Sequence, residues 1–365
     1  MANRNLGEAK SAKNDEFYTQ FNDISKEMNA YLEYNPDVFR GKTILLPCDD
    51  PEWSNFTKYF AQNFEHLGLR KLISTSYAPN SKPKDFNFEP TLFELESEQY
   101  DEEMNESRGK LFTLTRDKNG DKLINVDDLE WSYLDGDGDF RSEEITALRD
   151  EADIIVTNPP FSLFRQFLSW IMEADKQFVI IGNKNCITYK EVFPLIQSNR
   201  MWLGSTPMSI DLMFRVPESM AIELIAKGKE GSAWRRVDGE VLGRASAVWF
   251  SNLDHGRRHQ PLTLMTLADN LKHSKHIALR ETGYPKFDNY DAIEISFTDS
   301  IPSDFQGVMG VPISFLDKYN PDQFEIVGCS YDYGRPDFWP ATTKMSPSVN
   351  GVNIYKRIFI RHRNL

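Results

Sequence analysis

The stretch Asp153-Ile-Ile-Val-Thr-Asn158-Pro-Pro-Phe161 constrains the fold more than any other part of the chain. Four apolar or β-branched residues, bounded by polar ones and then by prolines that cannot donate ladder hydrogen bonds, read as a buried parallel strand that stops abruptly. The two prolines hold the loop backbone, and Pro160 further restricts Pro159. The carbonyls and the Asn158 amide then point in a preset direction at the carboxyl end of a sheet, where α/β folds place their ligands. Ser162-Leu-Phe-Arg-Gln-Phe-Leu-Ser-Trp-Ile171 follows with helical apolar spacing, so the unit is a strand, a rigid loop and a helix.

Such a loop suits one kind of chemistry. Asn158 and a proline carbonyl accept hydrogen bonds from a planar amino group while Phe161 stacks on the ring that carries it. An acceptor pair facing the NH2 group leaves the nitrogen lone pair directed elsewhere, toward an electrophile. The plain alternative is a proline turn after a strand, with a solvent-facing Asn158 and a packed Phe161. The tetrapeptide resembles the catalytic motif of S-adenosylmethionine-dependent amino-methyltransferases acting on adenine, cytosine or glutamine, and its position directly after a buried strand is the context that motif needs.

Composition sets the outer bounds. A chain of 365 residues with 40% hydrophobic content is long enough for a catalytic domain plus a smaller second unit. No apolar run approaches ~18 residues, and Met1-Ala-Asn-Arg-Asn-Leu6 lacks a signal-peptide core, so a soluble, cytoplasmic protein without a membrane partner is expected. A monomer is the expected state. Cys48, Cys186 and Cys329 are odd in number and show neither a disulfide framework nor zinc spacing, which predicts reduced core residues. The net charge of -13 argues against a general nucleic-acid coat. Any DNA contact then requires a local basic face on an acidic body.

Along the chain, Asn14-Asp-Glu-Phe-Tyr-Thr-Gln20 is expected to begin a helix continuing through Leu32. Its Phe17, Tyr18 and Thr19 resemble the Phe-x-Thr-Pro element that folds over the cofactor in many adenine methyltransferases; burial of Phe17 and Phe21 in a core is the equal alternative. Thr43-Ile-Leu-Leu-Pro-Cys48 is the first strand of an α/β unit, followed by a helix near 54–64. Its loop departs from Phe-x-Gly-x-Gly, having no glycine between Ile44 and Phe56, and it carries neither a dinucleotide nor an ATP fingerprint. A cofactor without phosphates needs no glycine cradle, and either Asp49 or Asp50 holds its ammonium or both are turn aspartates capping the helix. Lys71-Leu-Ile-Ser-Thr-Ser-Tyr77 is the second strand and lacks a terminal acid for a ribose.

Residues 78–130 and 205–245 read as inserts. Within the first, Leu111–Thr115 and Lys122–Val126 predict a hairpin turning at Asn119-Gly120. The Asp117, Asn119, Asp121, Asn125 and Asp128 spacing also matches a calcium loop, against which Lys122 stands at the glycine position. Gly138-Asp139-Phe140 precedes a helix from Ser142 to Glu151 and resembles the Gly-Asp-Phe element that often precedes the catalytic motif in amino-methyltransferases; the resemblance implies that Asp139 accepts from the cofactor's adenine amino group with Phe140 against its ring, and the alternative is an acidic turn capping that helix. Thr188-Tyr-Lys-Glu191 has a capping-box pattern, Asn183-Lys-Asn185 ends the next strand, and 201–204 and 247–252 are short strands. The cations cluster late, with Arg235 and Arg236, then Arg257, Arg258, Lys272 and Lys275, as candidate DNA contacts. His255 with His259, or His273 with His276, has helical metal spacing without a third ligand, and no metal is expected.

Taken together, Asn14–Gln20, Cys48-Asp-Asp-Pro51, Trp53-Ser-Asn-Phe56, Gly138–Ser142, Thr157–Phe161, Gly182-Asn-Lys-Asn185 and the segment from Gly310-Val-Pro-Ile to Val327-Gly328 resemble the EcoRI-type adenine-N6 DNA methyltransferases, in the same order and over most of the chain. That family also carries Cys-Asp-Asp-Pro in place of the glycine loop. The resemblance implies an α/β fold: a doubly wound, mostly parallel methyltransferase sheet with inserts over residues 1–255, and a strand-rich target-recognition region over 256–365. It implies S-adenosylmethionine as cofactor and double-stranded DNA as partner. Asn158, Pro159, Pro160 and Phe161 are then catalytic, and Phe17, Tyr18, Thr19, Cys48, Asp49, Asp50, Asp139, Phe140 and Asn158 face the cofactor. An RNA or protein-glutamine methyltransferase with the same motif, or a non-catalytic DNA-binding module, are the alternatives.

Overall fold

The computed structural model describes residues 18–47, 49, 54–78, 99–121, 123–216, 218–330 and 346–363. They form two compact units, one of residues 1–184 with 206–253 and one of 185–205 with 254–365.

In the first unit the main sheet runs, in spatial order, Glu130–Tyr133, Lys110–Leu114, Lys71–Ser76, Thr43–Leu46, Ile154–Thr157, Gln177–Asn183 and Ala247–Ser251. The four strands from Lys71–Ser76 to Gln177–Asn183 are mutually parallel, and the flanking strands pair antiparallel. Every residue of Thr43–Leu46 and of Ile154–Thr157 is buried, the pattern of central parallel strands covered on both faces. The covering helices explain it. Phe21–Tyr34 buries Ile24, Met28 and Tyr31, Asn55–Gln62 buries Phe56, Tyr59 and Phe60, and Phe164–Glu173 buries Phe164, Phe167, Leu168 and Ile171. Each large apolar side chain so enclosed contributes roughly 1.5–3 kcal/mol. The expected doubly wound sheet is present, with its parallel strands confined to the centre.

Three local readings change. Helix Phe21–Tyr34 begins later than expected, because Tyr18–Thr19 pairs as a strand with Arg215 and Phe214 of the 205–245 insert. That insert builds a sheet of its own, in the order Tyr18–Thr19, Leu212–Arg215, Glu240–Ala245, Trp234–Val237. A β-favouring Tyr-Thr pair found a distant partner, which overrides local helical spacing. The hairpin also shifts: Lys110–Leu114 pairs with Glu130–Tyr133, and no strand lies near 123–126. Asp128 instead accepts backbone N–H groups from Lys118, Asn119 and Asn125 at 2.9, 3.2 and 3.0 Å, so a carboxylate rather than a ladder holds the loop. Finally, Thr188 donates to the Asn185 carbonyl instead of capping a helix, which starts at Phe193 with Pro194 in its first turn.

The second unit contains a sheet ordered Ile293–Glu294, Met309–Pro312, Arg357–His362, Phe324–Cys329. Phe287, Tyr290, Ala292, Val308 and Phe359 form a core against it. Cys186 and Cys329 are buried free thiols, as expected; Cys48 lies outside the described residues. His259 and His276 lie 2.8 Å from Asp254 and Asp299 respectively, and no cluster of metal-ligating side chains occurs among the described residues. No described helix is long and apolar enough to cross a membrane.

His255 makes the second unit sensitive to acid. It is buried, with Nε2 3.1 Å from the Leu203 carbonyl, and burial pushes its pKa down to about 4. The folded chain resists protonation between that value and the unfolded value of about 6.5, so stability is complete above that range and falls as pH drops through it. Lowering the pH from 7 to 5 is expected to cost about 2 kcal/mol through this group. Urea titrations of the protein and of His255→Gln at both pH values check it; equal losses in the two proteins would assign the effect elsewhere.

Candidate active site

Thr157 ends the central strand, where it lies opposite Ile180 of Gln177–Asn183, and the chain leaves the sheet as Asn158-Pro159-Pro160. Pro159 is buried, Asn158 is half-buried, and its side-chain oxygen is shielded from solvent. Phe161–Leu163 forms a single 3-10 turn, closed by the Leu163 amide on the Pro160 carbonyl at 2.9 Å, before helix Phe164–Glu173 begins. Phe161 is half-buried and packs on the main core with part of its ring exposed. The strand, rigid loop and helix anticipated from the prolines are all present.

The loop after Thr43–Leu46 lies against the same edge. Asp49 is buried, and its carboxylate accepts from the Ser54 hydroxyl at 2.7 Å and from the Thr157 hydroxyl. Ser54 also caps helix Asn55–Gln62, accepting from the Phe56 amide at 3.1 Å. Asp49 or Asp50 was the candidate for the cofactor ammonium, with turn aspartates capping the helix as the alternative; in the structure both Asp49 carboxylate oxygens meet protein hydroxyls. Cys48 and Asp50 lie outside the described residues.

The Gly138-Asp139-Phe140 element sits at the end of the neighbouring strand. Ala78 donates to the Asp137 carbonyl at 2.9 Å, and Gly138 packs so tightly that an added Cβ would stand 2.4 Å from the Ser76 carbonyl oxygen. With φ at +88°, that position requires glycine on both counts. Asp139 is gripped by Arg141, whose backbone amide and Nε each donate to Oδ1 at 2.9 Å. Burial raises the Asp139 pKa, but the hydrogen bonds and charge of Arg141 outweigh it and hold the carboxyl below its usual range. Phe140 requires a correction. Expected against the cofactor's adenine ring, it is wholly buried, with edge contacts to Phe167 at 5.0 Å and Trp170 at 5.6 Å. Aromatic rings of helix Phe164–Glu173 claim it, and no face remains for a ligand.

At the amino-terminal side, Phe17 and the Tyr18 side chain lie outside the described residues. Thr19 is buried, and its hydroxyl has no hydrogen-bond partner among the described residues. Its carbonyl accepts from Asn55 Nδ2 at 2.7 Å, which ties it to the first residue of the helix that Ser54 caps. A contact chain therefore links Thr19, Asn55, Ser54, Asp49 and Thr157 to Asn158.

The candidate DNA-contacting cations separate. Arg235 and Arg236 are exposed on strand Trp234–Val237 of the first unit. In the second unit Lys272 and Lys275 are exposed, Lys275 pairing with Asp299 at 2.7 Å, and Arg257 donates to the Ser205 carbonyl at 2.5 Å. Arg258 also requires a correction. It is buried, its guanidinium lies 3.6 Å from the Trp202 ring centre, and it bonds to Asp254 at 3.2 Å and to Asn199. Stacking and hydrogen bonding commit it to the interior, which removes it from a DNA-facing surface. Thr157, Ser54 and Ser74 were read only as members of their motifs and strands, Thr57 was given no role, and only the Ser54 cap left a readable signal.

The profile of the family described as "Adenine-specific methyltransferase EcoRI" matches residues 5–363. The type II methyltransferase M.EcoRI of Escherichia coli is 39% identical over 366 residues, spanning 100% of this chain and 98% of that protein. M.MpnI of Mycoplasma pneumoniae is 33% identical over 363 residues, 97% of each chain, and M.MgeORF184P of Mycoplasma genitalium is 31% identical over 369 residues, 98% of each. No solved structure matches significantly.

Proposed function

Because the chain belongs to the family of the EcoRI adenine-specific methyltransferase, we propose that it moves a methyl group from S-adenosylmethionine to the N6 nitrogen of an adenine flipped out of a specific duplex DNA site. It is a type II, site-specific adenine methyltransferase of the restriction-modification kind. The observation that carries the reading is the placement of Asn158-Pro-Pro-Phe161 at the carboxyl end of the central strand, with the Asn158 side-chain oxygen sheltered from water.

Flipping the base costs a few kcal/mol, which contacts in the pocket offset. Asn158 Oδ1 and the Pro159 carbonyl accept hydrogen bonds from the two amino N–H groups, and Phe161 stacks on the exposed base. The sulfonium supplies an activated methyl group. As the nitrogen–carbon bond forms and the sulfur–carbon bond breaks, the loop keeps the lone pair in line, so positioning carries most of the rate. The spare proton leaves to water after transfer, and no general base has to act beforehand.

The residues at this edge fit such a donor. It carries no phosphate, so the missing glycine cradle is no obstacle, and the buried Thr19 hydroxyl offers it a hydrogen-bonding group. Asp139 reaches the donor's adenine by exchanging part of its Arg141 contact. Target recognition is assigned to the second unit, with Arg257, Lys272 and Lys275 toward phosphate; Arg235 and Arg236 are separate candidate phosphate contacts on the first unit.

Labelled donor offered with duplex DNA, RNA or protein is expected to label DNA alone, on adenine, and mapping of modified adenines in cells expressing the protein should return one recognition sequence. Label on RNA or on glutamine would transfer the reading to those substrates; no label anywhere would leave a binding module.

A further inference from the structure

Asp49 makes contacts that nothing in cofactor binding calls for. Its carboxylate meets two hydroxyls, Ser54 at 2.7 Å and Thr157, and its backbone carbonyl accepts from the Ser74 hydroxyl. Thr57 Oγ1 lies 3.0 Å from Ser74 Oγ and 3.3 Å from that same carbonyl. Ser54, Thr57, Ser74 and Thr157 are all buried. One residue thereby joins the segment leaving Thr43–Leu46 to Ser74 within the adjacent strand Lys71–Ser76, to the end of Ile154–Thr157 and to the start of helix Asn55–Gln62.

The Thr157 hydroxyl is the informative partner. It lies within reach of two acceptors, the Asp49 carboxylate and the Pro47 carbonyl at 2.8 Å, yet it has one proton to give. Both acceptors belong to the segment that leaves Thr43–Leu46, so whichever takes the proton, the end of the central strand is tied sideways to its neighbour. The next residue is Asn158, and the prolines after it transmit the placement because their backbone cannot readily adjust.

We propose that Asp49 is a positioning residue which, through the Thr157 hydroxyl, sets where the Asn158 amide meets the target amino group. The proposal rests on the catalytic reading of Asn158 and goes beyond it by assigning the device that aligns it. In this reading Asp49 and Thr157 act through Asn158 and carry no reacting atom. A misplacement of about 1 Å lowers transfer by about 100-fold, while donor binding and folding are far less sensitive to it.

Thr157→Val keeps the shape of the side chain and deletes the hydroxyl; Thr157→Ser restores it. Single-turnover methylation of a duplex carrying the mapped site, the donor dissociation constant and the thermal midpoint are measured for both. The expected result is a rate about 100-fold lower for valine, with donor affinity within threefold of wild type, and serine within threefold of wild type in rate. Should the valine variant not fold, Asp49→Asn keeps the side-chain volume and an oxygen for Ser54 but leaves the Thr157 hydroxyl only the Pro47 carbonyl as acceptor, and a smaller rate loss, again with donor affinity within threefold of wild type, is expected of it. A full rate in the folded variant overturns the proposal, as does a rate loss matched by an equal loss of donor affinity, or a serine variant as slow as valine. Asn158→Ala run in parallel separates the two levels: if it keeps its rate, the catalytic reading fails, whereas a slow Asn158→Ala beside a fast Thr157→Val removes the positioning role alone.

Discussion

Asn158→Ala is expected to lower methyl transfer by at least about 10²–10³-fold while the donor dissociation constant stays within a few-fold of wild type. The magnitude follows from what deleting one preorganised hydrogen-bonding group costs an active site shielded from water. Asn158 sits between a buried strand end and a buried proline, so truncating its amide leaves the backbone course intact and removes only the acceptor. The target amino group then keeps one fixed acceptor, the Pro159 carbonyl, and its lone pair is no longer confined to the line of attack. Rapid-quench methylation with excess enzyme reads the chemical step, and equilibrium titration with the donor reads binding. Asn158→Asp preserves an acceptor of the same size and is expected to fall between alanine and wild type. A wild-type rate for Asn158→Ala would take the residue out of the mechanism.

Phe140→Ala is expected to destabilise the protein by about 3–5 kcal/mol, the range for removing a fully buried aromatic ring. The ring lies between Phe167 and Trp170 and is closed to solvent, so its loss opens a cavity behind helix Phe164–Glu173. That helix begins directly beyond the proline loop, which makes the damage felt at the site as well. Phe140→Leu fills most of the space and is expected to recover most of the stability with donor affinity unchanged. Chemical denaturation and donor titration of both variants separate a core residue from a ligand contact. Lost donor affinity at unchanged stability would return Phe140 to the cofactor.

Gly138 and Phe140 illustrate how far local pattern carries. Gly138-Asp139-Phe140 was singled out by its resemblance to a family element, and the glycine is required where it stands against Ser76. Phe140 was assigned outward because a phenylalanine beside an acidic turn reads the same whether it faces a ligand or a core. Its burial depends on helix residues more than twenty positions away. The same holds for Arg258, one of several late cations in the sequence, whose stacking on Trp202 no composition signal announces. Tyr18–Thr19 read as helix because the strand that claims it, Leu212–Arg215, lies in an insert whose own structure was not legible.

What the amino-acid order determined unaided is the unit at Asp153–Ile171, together with the family. Prolines fix their own backbone, apolar runs fix which segment is buried, and these are properties of neighbours along the chain. What only the folded chain decided is the direction of Asp49, Phe140 and Arg258. Asp49 and Thr157 are separated by 108 positions and meet because adjacent parallel strands bring their ends together. Side-chain direction at such places is set by contacts across the sheet, and those exist only once the sheet does.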